Sequence, residues 1–252
     1  MTRFISVVSG KGGVGKTTAV INLATALSSK FKKDVIIVDC NVTTSHLGLH
    51  LGMYYHPVTL NQVLKDEAKI TDAMYDYSKV RVIPASLDLH ELKGVDMIKL
   101  KDAISELSAD IVLLDSAPGL GREAISTIRA SNEILFVTTP FIPSTLDMVR
   151  CNELIKQLNI GCLGVVLNMV EGENYELRKE EIEKISELPV LATIPMDRNI
   201  PKSLAEKEPL ITYRPKSPAS KEFIKLAARL VGEEYRTGGL DKIKRFLGLS
   251  RY

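Results

Sequence analysis

Residues 9–18 read SGKGGVGKTT, and their types and spacing are those of a phosphate cradle. Gly10, Gly15, Lys16 and Thr17 fit the pattern G-x-x-x-x-G-K-[ST], in which glycines let successive backbone N–H groups face a polyphosphate with no Cβ in the way. Gly12, Gly13 and Val14 complete that run of N–H groups. Lys16 is placed to reach the terminal phosphates and Thr17 to put its hydroxyl on Mg²⁺. Thr18 lies in the first turn of a helix whose N-terminal dipole favours an anion. The plain alternative is a glycine-rich turn ahead of a helix. Context favours the cradle, because the apolar run FISVV precedes it and the helically periodic AVINLATAL follows.

A second candidate is Asp115, which closes the apolar run IVLLD. A carboxylate at the end of a buried strand is what a Walker B acid looks like, and its expected role is to hold a Mg²⁺-bound water and Thr17 in place. The alternative is a cap for the next helix. His46 and His50 stand four apart, one helix face if helical, and could form a metal pair, yet no third ligand is evident and surface or packing roles fit better. Cys40, Cys151 and Cys162 are isolated, so neither a disulfide framework nor a cysteine-rich metal site is indicated, and a reduced cytosolic setting fits.

Lys11 is not required by the general pattern. With it the loop reads K-G-G-x-G-K-[ST]-[ST], and here the chain resembles the MinD/ParA group of deviant Walker A ATPases, closest to the MinD type. The resemblance implies ATP and Mg²⁺ as ligands and an ATP-dependent homodimer in which Lys11 reaches the partner's bound phosphates. It also implies that Asp39 is the first carboxylate of a D-x-D switch pair near the metal. The second position here is Asn41. An amide can hold a water but cannot take its proton at neutral pH, so the expected activity is slow ATP hydrolysis. Ser116-Ala-Pro-Gly resembles the family's switch segment with Ala117 and Pro118 in swapped order. Asn168, and Pro195 to Asp197, resemble the adenine-binding segments, although Asn168 could simply end a strand.

The elements that must position these residues alternate. Apolar runs starting near residues 4, 35, 80, 110, 133, 162 and 189 read as strands, most without polar alternation, as in a parallel sheet covered on both faces. They are expected to finish at Ser9, Asp39, Pro84, Asp115, Thr139, Asn168 and Pro195. Helical stretches are expected at 16–30, 98–107, 123–129, 144–158, 179–186 and 217–231. This βαβ alternation predicts an α/β fold with a doubly wound, mostly parallel sheet, helices on both faces, and ligands at the carboxyl ends of the strands.

The chain has 252 residues, 45% of them hydrophobic, enough for one large core, expected over residues 1–236. Formal net charge is +2, which makes no case for nucleic acid. No signal-peptide run and no stretch of about 18 apolar residues occurs. The last segment, 237–252, is basic, and on a helix Leu240, Ile243, Phe246 and Leu247 share an arc of about 120°. That stripe is similar to the MinD membrane-targeting helix, implying reversible attachment of a cytoplasmic protein to an anionic membrane. Docking on the protein's own body is the alternative. The expected role is a positional switch, for a division site or polar machine, with an unidentified regulatory partner. A DNA-segregating ParA-type ATPase and an ATP-binding scaffold without hydrolysis are the rivals.

Overall fold

Valine, isoleucine and leucine runs build the centre of the sheet, and helices cover both of its faces. The computed structural model describes residues 1–235. Its strands are β1 (Arg3–Val8), β2 (Val35–Asp39), β3 (Tyr75–Tyr77), β4 (Val80–Ile83), β5 (Ile111–Asp115), β6 (Glu133–Thr138), β7 (Gly161–Val170) and β8 (Val190–Pro195). They form one eight-stranded sheet in the order β3-β4-β2-β5-β1-β6-β7-β8. Every neighbouring pair is parallel except β3 with β4. The helices are α1 (Lys16–Phe31), α2 (Leu47–Leu51), α3 (Leu60–Leu64), α4 (Leu100–Ser105), α5 (Arg122–Arg129), α6 (Ile142–Gln157), α7 (Lys179–Ser186), α8 (Asn199–Ala205), α9 (Leu210–Tyr213) and α10 (Pro218–Leu230).

Alternate residues along each strand feed opposite layers. Ile5, Val7, Ile37, Leu113 and Val137 pack with Leu23 and Leu27 of α1 and Phe223 and Ile224 of α10. On the other face, Ile36, Val38, Val112 and Leu114 meet Leu60 and Leu64 of α3 and Leu100 and Ile104 of α4. Further along that face Ile134, Phe136 and Val165 meet Met148 and Ile155 of α6 and Ile182 of α7. The doubly wound fold is therefore as expected.

Phe223 is fully enclosed between α10 and the sheet. Its replacement by alanine leaves a ring-sized cavity, so Phe223→Ala is expected to lower the unfolding free energy by about 3–5 kcal/mol in urea titration. A loss under 1 kcal/mol would mean that α10 is not part of the cooperative core.

Two expected bounds and one alternative need correction. Asn168 does not end its strand: β7 runs on to Val170, with an irregular register against β8 between Leu167 and Val170 and Met169 at φ 60°. Asp115 does not cap a helix, because α5 starts seven residues later behind Gly121. Helix α6 begins at Ile142 rather than 144, since Pro143 lies in its first turn, where a missing N–H costs nothing. The stripe Leu240, Ile243, Phe246 and Leu247 lies outside the described residues.

Candidate functional site

The residues between β1 and α1 form a loop at the carboxyl edge of the sheet, and the glycines there are dictated by neighbours. A Cβ on Gly10 would stand 2.4 Å from the backbone carbon of Asp147 in α6. Gly15, at φ 87° and ψ 27°, is the N-cap of α1, and a Cβ there would stand 2.3 Å from Nδ2 of Asn168. The loop is braced by Ser9 Oγ donating to the Lys11 carbonyl at 2.7 Å. Gly12 and Gly13 are exposed, Val14 is buried, and Lys11 points into solvent, whereas Lys16 is buried. Burial pulls the Lys16 ammonium below its ordinary range, and the Asp115 charge partly offsets this. A desolvated cation beside exposed backbone N–H groups is a built anion site.

Two carboxylates close the site from adjacent strands. Asp39 and Asp115 are register partners at the last rung of β2 and β5. Thr17 Oγ1 donates to Asp115 Oδ2 at 2.6 Å, while Asp115 Oδ1 is buried without a partner. Asp39 is fully buried; it accepts from Ser45 Oγ at 2.6 Å and from the Asn41 N–H at 3.1 Å. Burial first, and then the charge of Asp115, pushes the Asp39 carboxyl up. Burial also raises Asp115, against the opposing pull of the Thr17 hydroxyl and the Lys16 ammonium. Two enclosed carboxylates, an orphaned oxygen and a threonine hydroxyl are hard oxygen donors, and they fit a Mg²⁺ ion that keeps most of its ligands as water and phosphate. No cluster of three or more His, Cys, Asp or Glu side chains suited to a metal occurs among the described residues. His46 is exposed and His50 half-buried, its imidazole lowered by burial and then by His46, so the pair gains no third ligand there.

Asn41 is occupied. Its Nδ2 donates to the Thr44 carbonyl at 2.7 Å, and its Oδ1 accepts from Thr44 Oγ1 at 3.0 Å. The segment after Asp115 folds back on the cradle, with the Gly119 N–H donating to the Ser9 carbonyl at 2.9 Å and the Pro118 ring beside Gly12. Asn168 reaches the loop itself: Nδ2 donates to the Val14 carbonyl at 2.8 Å, leaving Oδ1 buried and unpartnered. Pro195 ends β8, and the Met196 N–H donates to the Val170 carbonyl, so the two segments meet at the same sheet edge. Asp197 is structural at its carboxylate. It accepts from the Asn199 N–H at 2.9 Å and from the Ala219 N–H at 3.4 Å. Burial would raise this acid, but those bonds outweigh it and hold it below its usual range.

Four residues escaped the sequence reading: Ser45, which holds Asp39; Thr44, which holds Asn41; Asp147, against which Gly10 packs; and Glu123, which accepts a hydrogen bond from Thr43. None has a motif of its own.

Residues 5–210 match the model of the CobQ/CobB/MinD/ParA nucleotide binding domain. The chain belongs to that family. Among its relatives, an uncharacterized ATP-binding protein of Methanocaldococcus jannaschii is 35% identical over 246 residues, covering 96% of this chain and 93% of that protein. The crystal structure of the Pyrococcus furiosus cell division ATPase MinD superposes with a TM-score of 0.89 at 36% identity, covering 92% of this chain and 99% of that one. The septum site-determining protein MinD of Pyrococcus horikoshii, in complex with Mg-ADP, gives 0.87 at 33% identity, covering 97% and 99%. Within the MinD/ParA family the likeness is to MinD, and the residues matched by the family model include the cradle, both carboxylates and Asn168.

Proposed function

We propose that this chain is an ATPase that binds Mg-ATP in the Gly10–Thr18 cradle, dimerises around the nucleotide, and acts as a membrane-associating positional switch. The observation that carries the reading is the buried set Lys16, Asp39 and Asp115, with the half-buried Thr17 donating to Asp115. These groups are costly to enclose without a polyphosphate and its cation. Asn168 Oδ1, an acceptor lacking a donor, would take an adenine amine, with the backbone of residues 195–197 beside the ring. Lys16 neutralises the β- and γ-phosphates and the loop N–H groups orient them. Thr17, Asp39 and Asp115 would hold Mg²⁺, which when bound offsets charge on the transferring phosphoryl group.

Dimerisation is supported by Lys11, which is exposed at the mouth of the cradle rather than turned inward. Membrane attachment rests on the segment 237–252. Among the described residues no helix is long and apolar enough to cross a membrane. Burying four apolar side chains gains at most about 6–12 kcal/mol before ordering some ten residues at about 1–2 kcal/mol each. One tail is therefore weak, and two on one dimer gain about 10²–10⁴ in avidity. A scaffold reading, ATP binding without useful turnover, is favoured by one observation, the engagement of both polar atoms of Asn41 by Thr44.

Light scattering of the full chain after size exclusion is expected to show a monomer without nucleotide and a dimer with Mg-ATP, and Lys11→Ala is expected to remain monomeric in both. Co-sedimentation with anionic vesicles should need ATP and the segment 237–252. A mass unchanged by Mg-ATP would sink the dimer, and slow phosphate release separates enzyme from scaffold.

A further inference from the structure

Thr43 Oγ1 donates to the carboxylate of Glu123, joining two loops that leave adjacent strands of the sheet and lie 80 residues apart in sequence. The first loop follows Asp39 and carries Asn41; the second follows Asp115 and leads into α5. Glu123 stands in the first turn of α5, behind the N-cap Gly121, where the helix dipole favours a carboxylate. One turn further on, Thr127 donates to the Glu123 carbonyl at 2.7 Å, and its own carbonyl accepts from Ser6 Oγ of β1 at 2.9 Å. The Thr127 hydroxyl also lies against Cys40, the residue between Asp39 and Asn41, and Glu123 is among the charges that Cys40 feels. The start of α5 is thus laid over the strand ends, with Glu123 on the side of the Asn41 loop. Thr43 is exposed and Glu123 half-buried. The hydroxyl that donates to Glu123 keeps its oxygen lone pairs free to accept from a water.

Hydrolysis of a phosphoanhydride needs something to hold the attacking water and take its proton as the bond forms. Asn41 stands where the family's second switch carboxylate is expected, is not ionisable, and is closed off by Thr44. We propose that Glu123, acting through Thr43, does that work in this chain. The inference rests on the ATPase reading above. The water oxygen attacks the γ-phosphorus while the bond from that phosphorus to the bridging oxygen breaks, its electron pair leaving with ADP. The water proton passes to Thr43 Oγ1 as the Thr43 proton passes to the Glu123 carboxylate. Phosphate and ADP depart, and Glu123 returns the proton to solvent. Thr43 is the group that touches the water; Glu123 is a positioning residue and the final proton acceptor.

Steady-state phosphate release by the full chain with Mg-ATP, alongside calorimetric ATP binding, tests this. Glu123→Gln keeps an acceptor for Thr43 but loses the base, and it is expected to lower kcat about 10- to 100-fold with KM within threefold. Thr43→Val should do the same, and the double variant should be no slower than the slower single, because the two residues act as one unit. Glu123→Asp should recover part of the rate, and Asn41→Asp placed in the Glu123→Gln background should restore it. A Glu123→Gln rate within twofold of the unaltered chain overturns the proposal, as does a KM that rises in step with the loss of kcat. An unaltered chain that binds ATP and releases no phosphate overturns the enzyme reading instead, and this inference with it.

Discussion

Gly15→Ala is expected to lower Mg-ATP affinity about tenfold or more and to destabilise the protein in the same stroke. Three costs coincide at this position. Alanine at φ 87° sits in the left-handed region, which costs roughly 1–2 kcal/mol. Its Cβ would lie 2.3 Å from Nδ2 of Asn168, so that side chain must move. When it moves, the Asn168 bond to the Val14 carbonyl is lost and a buried polar group goes unpaired, worth about 1–3 kcal/mol. Together these amount to roughly 2–5 kcal/mol, and a tenfold change in affinity needs only about 1.4 kcal/mol. Part of the cost falls on folding, and the rest on the cradle, since the carbonyl that Asn168 holds belongs to the loop. Gly13→Ala is the control: its φ is 77°, yet nothing lies within 4 Å of the added Cβ. It should show the backbone strain alone. Calorimetric titration with Mg-ATP and a thermal melt of both variants would check this, and a Gly15→Ala protein binding ATP within threefold of the unaltered chain would refute it.

The contrast between these glycines also marks what could be read in the sequence. The cradle is legible because its chemistry is contiguous: glycines, lysine and threonine lie within one turn of chain, between an apolar strand and a periodic helix. The central strands are legible because burial on both faces removes polar alternation, and β2 and β5 are wholly buried along their length. Strand β3, Tyr75-Asp76-Tyr77, offers no such run. It is an antiparallel edge, three residues long and partly exposed, held by pairing with β4 rather than by its own pattern. Helix α3 is only five residues long, yet Thr59 and Gln62 carry a capping signal at the right spacing, and the Thr59 N–H does donate to Gln62 Oε1 at 2.8 Å. Asn168 drew notice as a base-contacting residue, but its bond to Val14 spans 154 positions and no local pattern encodes it. The same holds for Thr43 with Glu123. Asn41 was legible as a departure from the expected carboxylate; its closure by Thr44 three residues on was not.

Asp115→Asn carries the second large effect, and it should act in opposite directions with and without ligand. In the ligand-free chain Asp39 and Asp115 are enclosed side by side, and each is held above the ordinary carboxylate range by burial. A protein that holds its acids up binds more protons folded than unfolded, so stability falls as pH rises from the ordinary carboxylate range towards neutrality. Asparagine at position 115 keeps an acceptor for Thr17 Oγ1 and removes one of the two like charges. The variant is therefore expected to gain about 1–2 kcal/mol at neutral pH, read as a rise of roughly 2–8 °C in Tm, and to show a flatter dependence on pH. Adding Mg-ATP should reverse the order. The unaltered chain gains from binding by mass action, whereas the variant has lost the charge and the unpartnered Oδ1 proposed above to hold Mg²⁺ and should gain little. A lower Tm for ligand-free Asp115→Asn would show that the attraction between Asp115 and the buried Lys16 ammonium outweighs the repulsion. An equal response to Mg-ATP would remove Asp115 from the metal's surroundings. If both expectations hold, the buried carboxylate pair is a destabilising feature that the empty protein carries and Mg-ATP relieves.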